Sequence, residues 1–309
     1  MKVLIPILIG LLVVGCGKKE SAKPETKAKS PSASPAQEAN NNQPKTDPKP
    51  KQETKNSEPP VTATTKLITD PIIEKAIREA LSTPFSFTGE LTKADLEKVP
   101  MLNLSGNKLT DVPKGLENLT QLKGLELSEN QLTDVKGLEK LTQLKGLYLY
   151  NNQLTSVKGL EKLTQLEVLF LDTNQLTDVK ELAKLTLLKK LVLSENQITD
   201  LECLESLTQL KELFIGGNKL ADLKFLKNLT RLERLGLSNS QLINVKGLEN
   251  LTQLEELFLE RNKLVNLSGL EKLTKLKWLY LTNNPDLTKA QIAKLQKALP
   301  KCSISHDFE

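Results

Sequence analysis

Residues 141–162 read LTQLKGLYLYNNQLTSVKGLEK, and close variants of this stretch return along the chain at a fixed interval. In its centre, from Leu144 to Leu154, leucines and one asparagine follow the spacing L-x-x-L-x-L-x-x-N-x-L. A fixed interval of this length indicates a solenoid, in which each coil packs only against its neighbours. The asparagine recurs after 23 residues once and after 22 residues each time thereafter, with serine at one of the nine positions: Asn107, Asn130, Asn152, Asn174, Asn196, Asn218, Ser240, Asn262 and Asn284.

Two different periods within each coil predict its local structure. Before the asparagine, apolar residues alternate with the period of two that is typical of a short strand. After it, apolar residues lie three apart, as at Leu132, Val135, Leu138 and Leu141, which is the period of a 3-10 helix. We therefore expect a curved parallel β-sheet on the concave face, with strands ~4.8 Å apart, and 3-10 turns on the convex face.

The asparagine column is predicted to be structural. A buried amide side chain can bond backbone groups of its own and neighbouring coils that would otherwise lack partners. Ser240 is shorter and has fewer donors, so the seventh coil is expected to be a local weak point.

The repeat resembles the leucine-rich repeat, and its 22-residue period is similar to that of bacterial internalin-like proteins. The resemblance implies a leucine-rich repeat solenoid with helical N- and C-terminal caps around nine repeats, at residues 99–287. In the N-terminal cap, residues 67–98, Asp70-Pro71 favours a helix start, and a second helix should begin at Thr92 with Asp95 as the partner in a capping box. In the C-terminal cap, residues 288–309, Thr288 and Gln291 form a capping box before a helix over 289–299.

The first residues predict a signal peptide for a lipoprotein. Residues 1–15, MKVLIPILIGLLVVG, are apolar but shorter than the ~20 residues that span a bilayer. The sequence Val13-Val14-Gly15-Cys16 resembles a bacterial lipobox, which implies cleavage before Cys16 and attachment of fatty acids such as palmitate to it. An uncleaved signal anchor is the alternative. By the same resemblance Gly17 favours the outer over the inner membrane, so the expected localisation is the cell envelope, lipid-anchored.

Residues 16–66 are predicted to be the lipidated cysteine and a disordered Lys/Pro-rich tether. Residues 17–66 hold ten lysines, six acidic residues and no aromatic residue, a composition that cannot bury enough apolar surface to fold. The net charge of +5 belongs to this segment, because residues 67–309 hold 32 basic and 32 acidic residues. The repeat region therefore lacks the basic surface that binding of nucleic acid requires.

The outward strand positions carry the predicted partner-binding surface. Seven of the eleven aromatic residues fall on this one face, where leucine already fills the inward positions. An exposed aromatic row is typical of an interaction site, although aromatic residues also favour strands for their own packing. A glycine in the row is expected to leave a notch between two phenylalanines ~10 Å apart, for a partner side chain. The predicted residues are Tyr148, Tyr150, Phe170, Phe214, Gly236, Phe258, Trp278 and Tyr280.

The remaining polar residues argue against an enzyme. His306 is the only histidine, and we find no phosphate-binding loop and no cluster with metal-ligand spacing, so neither metal nor cofactor is expected. The charges one strand position earlier alternate in sign and should pair with one another: Lys190, Glu212, Arg234 and Glu256. Cys203 and Cys302 should lie ~20 Å apart, too far to bridge, and are predicted to be free thiols.

Two functions remain open from the sequence. The first is a membrane-anchored, non-catalytic scaffold, expected to be monomeric, that binds a protein through its concave face as a receptor, adhesin or assembly partner. The second is binding of a carbohydrate, such as a cell-wall or host glycan, with the aromatic rings as stacking platforms. An enzyme of the envelope is the least favoured reading.

Overall fold

The computed structural model describes residues 66–81 and 89–308, which belong to a compact unit running from Thr62 to Glu309. The predicted signal peptide, Cys16 and nearly all of the tether lie outside the described residues. The structure therefore bears on the repeats and on the two caps.

The nine predicted strands are present, and each pairs in parallel with the next. The register is uniform, so that the central Leu147 of one strand lies beside Leu169 of the following one. A tenth parallel strand, not predicted, comes from the C-terminal tail and pairs with the ninth. The strands are β1 Met101–Asn103, β2 Gly124–Glu126, β3 Gly146–Tyr148, β4 Val168–Phe170, β5 Lys190–Val192, β6 Glu212–Phe214, β7 Arg234–Gly236, β8 Glu256–Phe258, β9 Trp278–Tyr280 and β10 Ser303–Ser305.

The core is one continuous stack of leucines between the sheet and the opposite side of each coil. The central strand leucines are fully buried, and so are nearly all residues of the three-residue period, as in Leu132, Val135 and Leu138. The residues with this three-residue period form a 3-10 helix in six coils of the described region. They form plain turns in coil 2, which contains Asn130, and in coil 7, which contains Ser240. The 3-10 segments are Leu116–Asn118, Leu160–Lys162, Lys180–Lys184, Glu202–Ser206, Lys224–Asn228 and Leu270–Lys272.

Helices cover both ends of the stack. Helix α1, Pro71–Leu81, begins where Asp70 Oδ1 accepts hydrogen bonds from the backbone N–H groups of Ile72 and Ile73, at 2.8 and 3.2 Å. Helix α2, Lys93–Leu96, and helix α3, Lys289–Ala298, each begin with the predicted capping box, at Thr92 and Thr288. The predicted caps are thus helical because their first residues satisfy the free N–H groups.

The asparagine column joins successive coils, as predicted. In coil 3, Asn152 Oδ1 accepts from the Leu132 N–H at 3.0 Å, and Nδ2 donates to the carbonyls of Leu127 and Leu149. Asn174 repeats this pattern and also donates to Leu149, so that carbonyl accepts one bond from each of two asparagines. Seven asparagines are buried in this way. Asn107 is exposed because no coil precedes it.

Ser240 leaves this ladder incomplete. Its hydroxyl donates only to its neighbour Ser238, at 3.3 Å. Within the described region the N–H and carbonyl of Leu220, in coil 6, have no hydrogen-bond partner, whereas the equivalent carbonyl of Leu132 accepts from Gln153. Gln241 also adopts a left-handed φ of 56°. Coils 6 and 7 are therefore separated at this point by a cleft of about 580 Å³.

Candidate binding surface on the strand face

Side chains at the third position of each strand stand on the outer face of the sheet in one row. The strand register places Tyr148 beside Phe170, and Phe258 beside Tyr280. In the first nine strands the middle residue is buried, and its outer neighbours are at least partly exposed except for the glycines Gly124 and Gly236, as the alternation predicts. The sequence therefore identified the row correctly, and the structure adds how its members contact one another.

The N-terminal part of the row is an aromatic pair with a cation on it. The rings of Tyr148 and Phe170 lie 5.2 Å apart between centroids and are tilted by 35°. Lys190 Nζ lies 5.3 Å from the centroid of the Phe170 ring, within the range of a cation–π contact. Such contacts hold the rings in fixed positions, which lowers the entropy that a partner must remove on binding.

The C-terminal part of the row is a group of three rings. Phe258 stacks on Tyr280 with centroids 4.8 Å apart and planes within 2°. Phe214 reaches Phe258 across the intervening strand, with centroids 6.0 Å apart, and the guanidinium of Arg234 lies over the Phe214 ring, 5.6 Å from its centroid. These aromatic residues thus share one apolar surface.

The prediction of a notch at Gly236 is wrong. The two phenylalanine rings are 6.0 Å apart rather than ~10 Å, because Phe214 leans over the glycine. A Cβ added to Gly236 would lie 2.5 Å from a ring carbon of Phe214, and Gly236 itself is buried. The glycine makes room for a ring of this chain and leaves no open pocket there.

Trp278 is the first residue of strand β9, beside the C-terminal end of the row, and keeps 44% of its surface exposed. It shares strand β9 with Tyr280, two residues away, so both side chains are on the same face. Its neighbours across the sheet are Glu256 and Ser303. Trp278 is therefore the most accessible member of the predicted set.

The alternating charges form a line of ion pairs, as predicted. Lys190 Nζ lies 2.8 Å from Glu212, and Arg234 bridges Glu212 at 3.4 Å and Glu256 at 2.7 Å. The side chains are only partly exposed, so solvent screens them less than it screens free surface pairs. These residues hold neighbouring strands together and are poorly suited to bind an ion.

Tyr150 belongs to a second column, two residues before each asparagine. Its neighbours there are Ser128 in the preceding coil and Asp172 in the following one: the Glu129 N–H donates to the Tyr150 carbonyl, and the Asn151 N–H to the Asp172 carbonyl. Burial raises the pKa of Tyr150, and the carboxylates of Glu126 and Glu129 raise it further. The tyrosine is thus held protonated in an acidic environment.

Asp172 is a candidate residue that the sequence reasoning missed. Burial raises the pKa of its carboxyl from 3.8 to about 6, and no cation offsets this. Oδ1 of Asp172 and Oγ of the fully buried Ser128 have no hydrogen-bond partner within the described region. Each unsatisfied buried group costs about 1–3 kcal/mol. The sequence did contain a signal for this residue, because the same column holds mainly Ser, Thr or Glu in the other coils and an aspartate only here.

The carboxylates that could imitate an acid/base pair have structural partners. Glu126 accepts from the Ser128 N–H at 2.9 Å, Glu256 pairs with Arg234, and Glu260 accepts from the Ser238 hydroxyl at 2.6 Å. His306 accepts from the backbone N–H of Phe308, at 3.2 Å. Within residues 66–81 and 89–308, no three His, Cys, Asp or Glu side chains converge as metal ligands.

The two cysteines that the structure describes, Cys203 and Cys302, are free thiols, as predicted. Burial raises the pKa of both thiols to about 11. A thiol with so high a pKa has little thiolate at neutral pH, so neither is a good nucleophile.

Similar proteins agree with this architecture. A family model described as leucine-rich repeats (2 copies) matches residues 101–140, 142–184 and 186–228. Internalin C2 from Listeria monocytogenes is 30% identical, with a TM-score of 0.59 over 78% of this chain and 95% of that one. The chain belongs to the leucine-rich repeat family. No curated protein sequence matches it.

Two further solved leucine-rich repeat structures are similar. A protein of Leptospira interrogans is 33% identical, with a TM-score of 0.56 over 69% of this chain and 62% of that one. The ectodomain of a plant membrane receptor kinase from Arabidopsis thaliana, in complex with Casparian Strip Integrity Factor 2, is 27% identical. Its TM-score is 0.53, over 66% of this chain and 26% of that one. Leucine-rich repeat proteins are in general scaffolds that bind other proteins.

The part of the chain that the structure describes contains no helix with the length and apolar character needed to cross a bilayer.

Proposed function

We propose that this protein is a membrane-anchored, non-catalytic scaffold that binds a protein partner through the concave face of its sheet. The observation that carries the proposal is the aromatic row. Its rings contact one another and remain partly exposed, although the core is already filled by leucine. Partly exposed aromatic residues held by neighbours are typical of the centre of a protein interface.

The binding test compares two triple variants in a pull-down from envelope and host fractions. The first changes Phe170, Phe214 and Phe258 to alanine and is expected to lose the partner. The matched control changes three exposed apolar residues outside the row to alanine: Leu187, Ile243 and Val265. Equal recovery of the partner by both variants would remove the concave-face proposal.

Anchoring through Cys16 is the second part of the proposal. Two or more acyl chains give stable attachment to a bilayer, since each buried CH₂ contributes ~0.8 kcal/mol. Metabolic labelling with palmitate should label the wild type and should be lost in the Cys16→Ser variant. Fractionation of the labelled protein then tests the outer membrane against the inner membrane, and labelling that survives the substitution contradicts lipidation.

Carbohydrate binding is the alternative, and the exposed Trp278 beside Tyr280 favours it. An indole and a phenol on one strand offer apolar faces on which a sugar ring can stack. A glycan array probed with the wild type and with Trp278→Ala tests this. Binding of a glycan that requires Trp278, without a protein partner in the pull-down, would replace the first proposal.

A further inference from the structure

The cleft of about 580 Å³ between coils 6 and 7 is lined by residues outside the strands of the concave face. They come from the segments that follow Asn218 and Ser240. Leu220 stands two residues after the asparagine, a position that is buried in coils 1 to 5, 7 and 8, but Leu220 itself is partly exposed. The cleft therefore opens the leucine core at one place, and its volume is within the range of sites that bind ligands.

Three backbone groups at the cleft lack hydrogen-bond partners within the described region. In coil 2 the Leu132 N–H donates to the side chain of Asn152, and the Leu132 carbonyl accepts from the Gln153 N–H, so both groups bond to the following coil. The equivalent groups here are the N–H and carbonyl of Leu220 and the N–H of Gln241, and none of them is bonded. Unpaired N–H and carbonyl groups are a template for pairing with another chain.

The wall of the cleft is apolar at a position where the earlier coils are polar. Ile243 lines the cleft and keeps 59% of its surface exposed, and Val265 at the same position of coil 8 keeps 48%. Neighbouring exposed apolar residues of this kind mark an interaction site. The position holds threonine in coils 1 to 5 and an apolar residue in coils 6 to 8: Thr110, Thr133, Thr155, Thr177, Thr199, Ala221, Ile243 and Val265.

Lys246 gives the cleft a positive charge without a partner. In coils 2, 4 and 6 the lysine at this position pairs with the aspartate two residues before it, as Lys224 does with Asp222 at 2.6 Å. Asn244 replaces that aspartate in coil 7, and Lys246 forms no ion pair with any carboxylate that the structure describes. A carboxylate on a ligand would complement this charge. The other charged residues of the lining are bonded already, Lys227 to Glu205 and Glu249 to the N–H of Gly247.

We propose that this cleft binds an extended peptide segment of a protein partner, in which an apolar side chain lies close to an acidic one. It is a second binding surface and goes beyond the function proposed for the concave face. The peptide backbone accepts from the N–H groups of Leu220 and Gln241 and donates to the Leu220 carbonyl. Its apolar side chain packs against Ile243, and its carboxylate pairs with Lys246. A lipid chain fits less well, because it offers no donor or acceptor to the backbone groups.

The first test selects peptides from a phage-displayed library of random seven-residue sequences on the immobilised full-length protein. The Ser240→Asn variant serves for counter-selection, because it restores the amide found at this position in every other coil and should close the cleft without changing its lining. The enriched peptides should carry Asp or Glu within two residues of a large apolar residue. Equal enrichment on both proteins, or no enrichment of such sequences, would overturn the proposal. Phosphatidylglycerol vesicles that bind the wild type but not Ser240→Asn, with no peptide enriched, would assign the cleft to a lipid instead.

Point variants then test the side-chain contacts with one labelled, selected peptide in fluorescence polarisation. Ile243→Thr introduces the residue of coils 1 to 5 and should weaken binding about fourfold, as loss of one buried methyl group requires. Lys246→Gln should weaken it about two- to fivefold, the range for an exposed ion pair. The matched control is Lys158→Gln, at the same position of coil 3, which should leave the affinity unchanged. Wild-type affinity in both cleft variants would refute the site.

Amide hydrogen exchange tests the backbone contacts separately. Saturating peptide should slow exchange of the Leu220 and Gln241 amides about tenfold or more, because binding gives both N–H groups an acceptor. The Leu154 amide already donates to Asn174 and should not change. A peptide that binds without protecting Leu220 and Gln241 would refute the proposed backbone pairing.

The two triple variants of the pull-down distinguish this proposal from the proposed function. The variant of Phe170, Phe214 and Phe258 should bind the selected peptide as the wild type does, although it loses the concave-face partner. The control variant, which contains Ile243→Ala, should keep that partner and bind the peptide more weakly. Loss of the peptide by the phenylalanine variant would refute the cleft as a separate site, whereas loss of the cleft peptide alone leaves the proposed function standing.

Discussion

Replacing Ser240 with asparagine is expected to close the seam between coils 6 and 7. In coil 3 an asparagine at this position accepts from the N–H of Leu132 in the coil before it. In the Ser240→Asn variant the new amide oxygen should accept from the Leu220 N–H in the same way. With the coils drawn together, the Gln241 N–H can donate to the Leu220 carbonyl, as Gln153 does to Leu132.

The size of the gain follows from which groups lack partners. The carbonyls that the new Nδ2 would reach, those of Ile215 and Leu237, already accept from Asn218 and Asn262. The gain therefore comes mainly from Leu220, which lines the cleft and whose N–H and carbonyl lack partners within the described region. Two net hydrogen bonds of about 0.5–1.5 kcal/mol each predict stabilisation of about 1–2 kcal/mol at this seam.

Amide hydrogen exchange at Leu220 and Gln241 measures this local change directly. The Leu220 amide should exchange about tenfold more slowly in Ser240→Asn, because 1.4 kcal/mol corresponds to a factor of ten. The reverse control is Asn174→Ser, which leaves the Leu154 N–H without its partner and should speed its exchange. If the Leu220 amide is already as protected in the wild type as its equivalents in coils 3 to 5, the reasoning is refuted.

Three further predictions concern particular side chains. Gly236→Ala should displace the Phe214 ring, since the added Cβ would lie 2.5 Å from it, and should destabilise the fold by about 1–3 kcal/mol in urea denaturation; a structure with the ring unmoved contradicts this. The thiols of Cys203 and Cys302, with pKa values of about 11, should react with iodoacetamide at pH 8 about a hundredfold more slowly than an exposed cysteine. Intact-mass spectrometry measures the rate, and rapid alkylation of these two cysteines would contradict the prediction. Asp172 has a pKa above its unfolded value, so its contribution to the free energy of unfolding should fall by about 2 kcal/mol as pH rises from 4 to 6. Asp172→Asn should remove this slope, and an identical pH profile for the two proteins would contradict the assignment.

Spacing alone predicted the architecture because a solenoid is specified by local pattern. A leucine at every second position before the asparagine and at every third position after it leaves one arrangement that buries all of them. The same logic predicted the capping boxes at Thr92 and Thr288, whose partners lie three residues away in the chain. Contacts within a coil join residues that are close in the chain, and contacts between adjacent coils join equivalent positions of the repeat. Both kinds of contact can therefore be predicted from the sequence.

The notch at Gly236 could not be predicted from the sequence. Strand spacing correctly places Phe214 and Phe258 two strands apart, but it says nothing about which way each ring turns about its χ angles. The Phe214 ring leans over Gly236 because that position has no side chain, and its contact with the Phe258 ring stabilises this orientation. The same limit applied to the C-terminal tail, where Ser303–Ser305 became a tenth strand because the ninth offered an open edge.

The sequence by itself determined the repeat, its nine coils, the structural asparagines and the face on which the aromatic residues stand, since each depends on periods that the chain states directly. Only the tertiary structure decided which of those residues touch. It closed the glycine notch, completed the line of ion pairs and left Ser128 and Asp172 buried without hydrogen-bond partners. The physical reason is that periodicity specifies the face of the coil on which a side chain lies. Packing and desolvation among neighbouring side chains then decide its orientation, its contacts and the free-energy cost of burying its polar atoms.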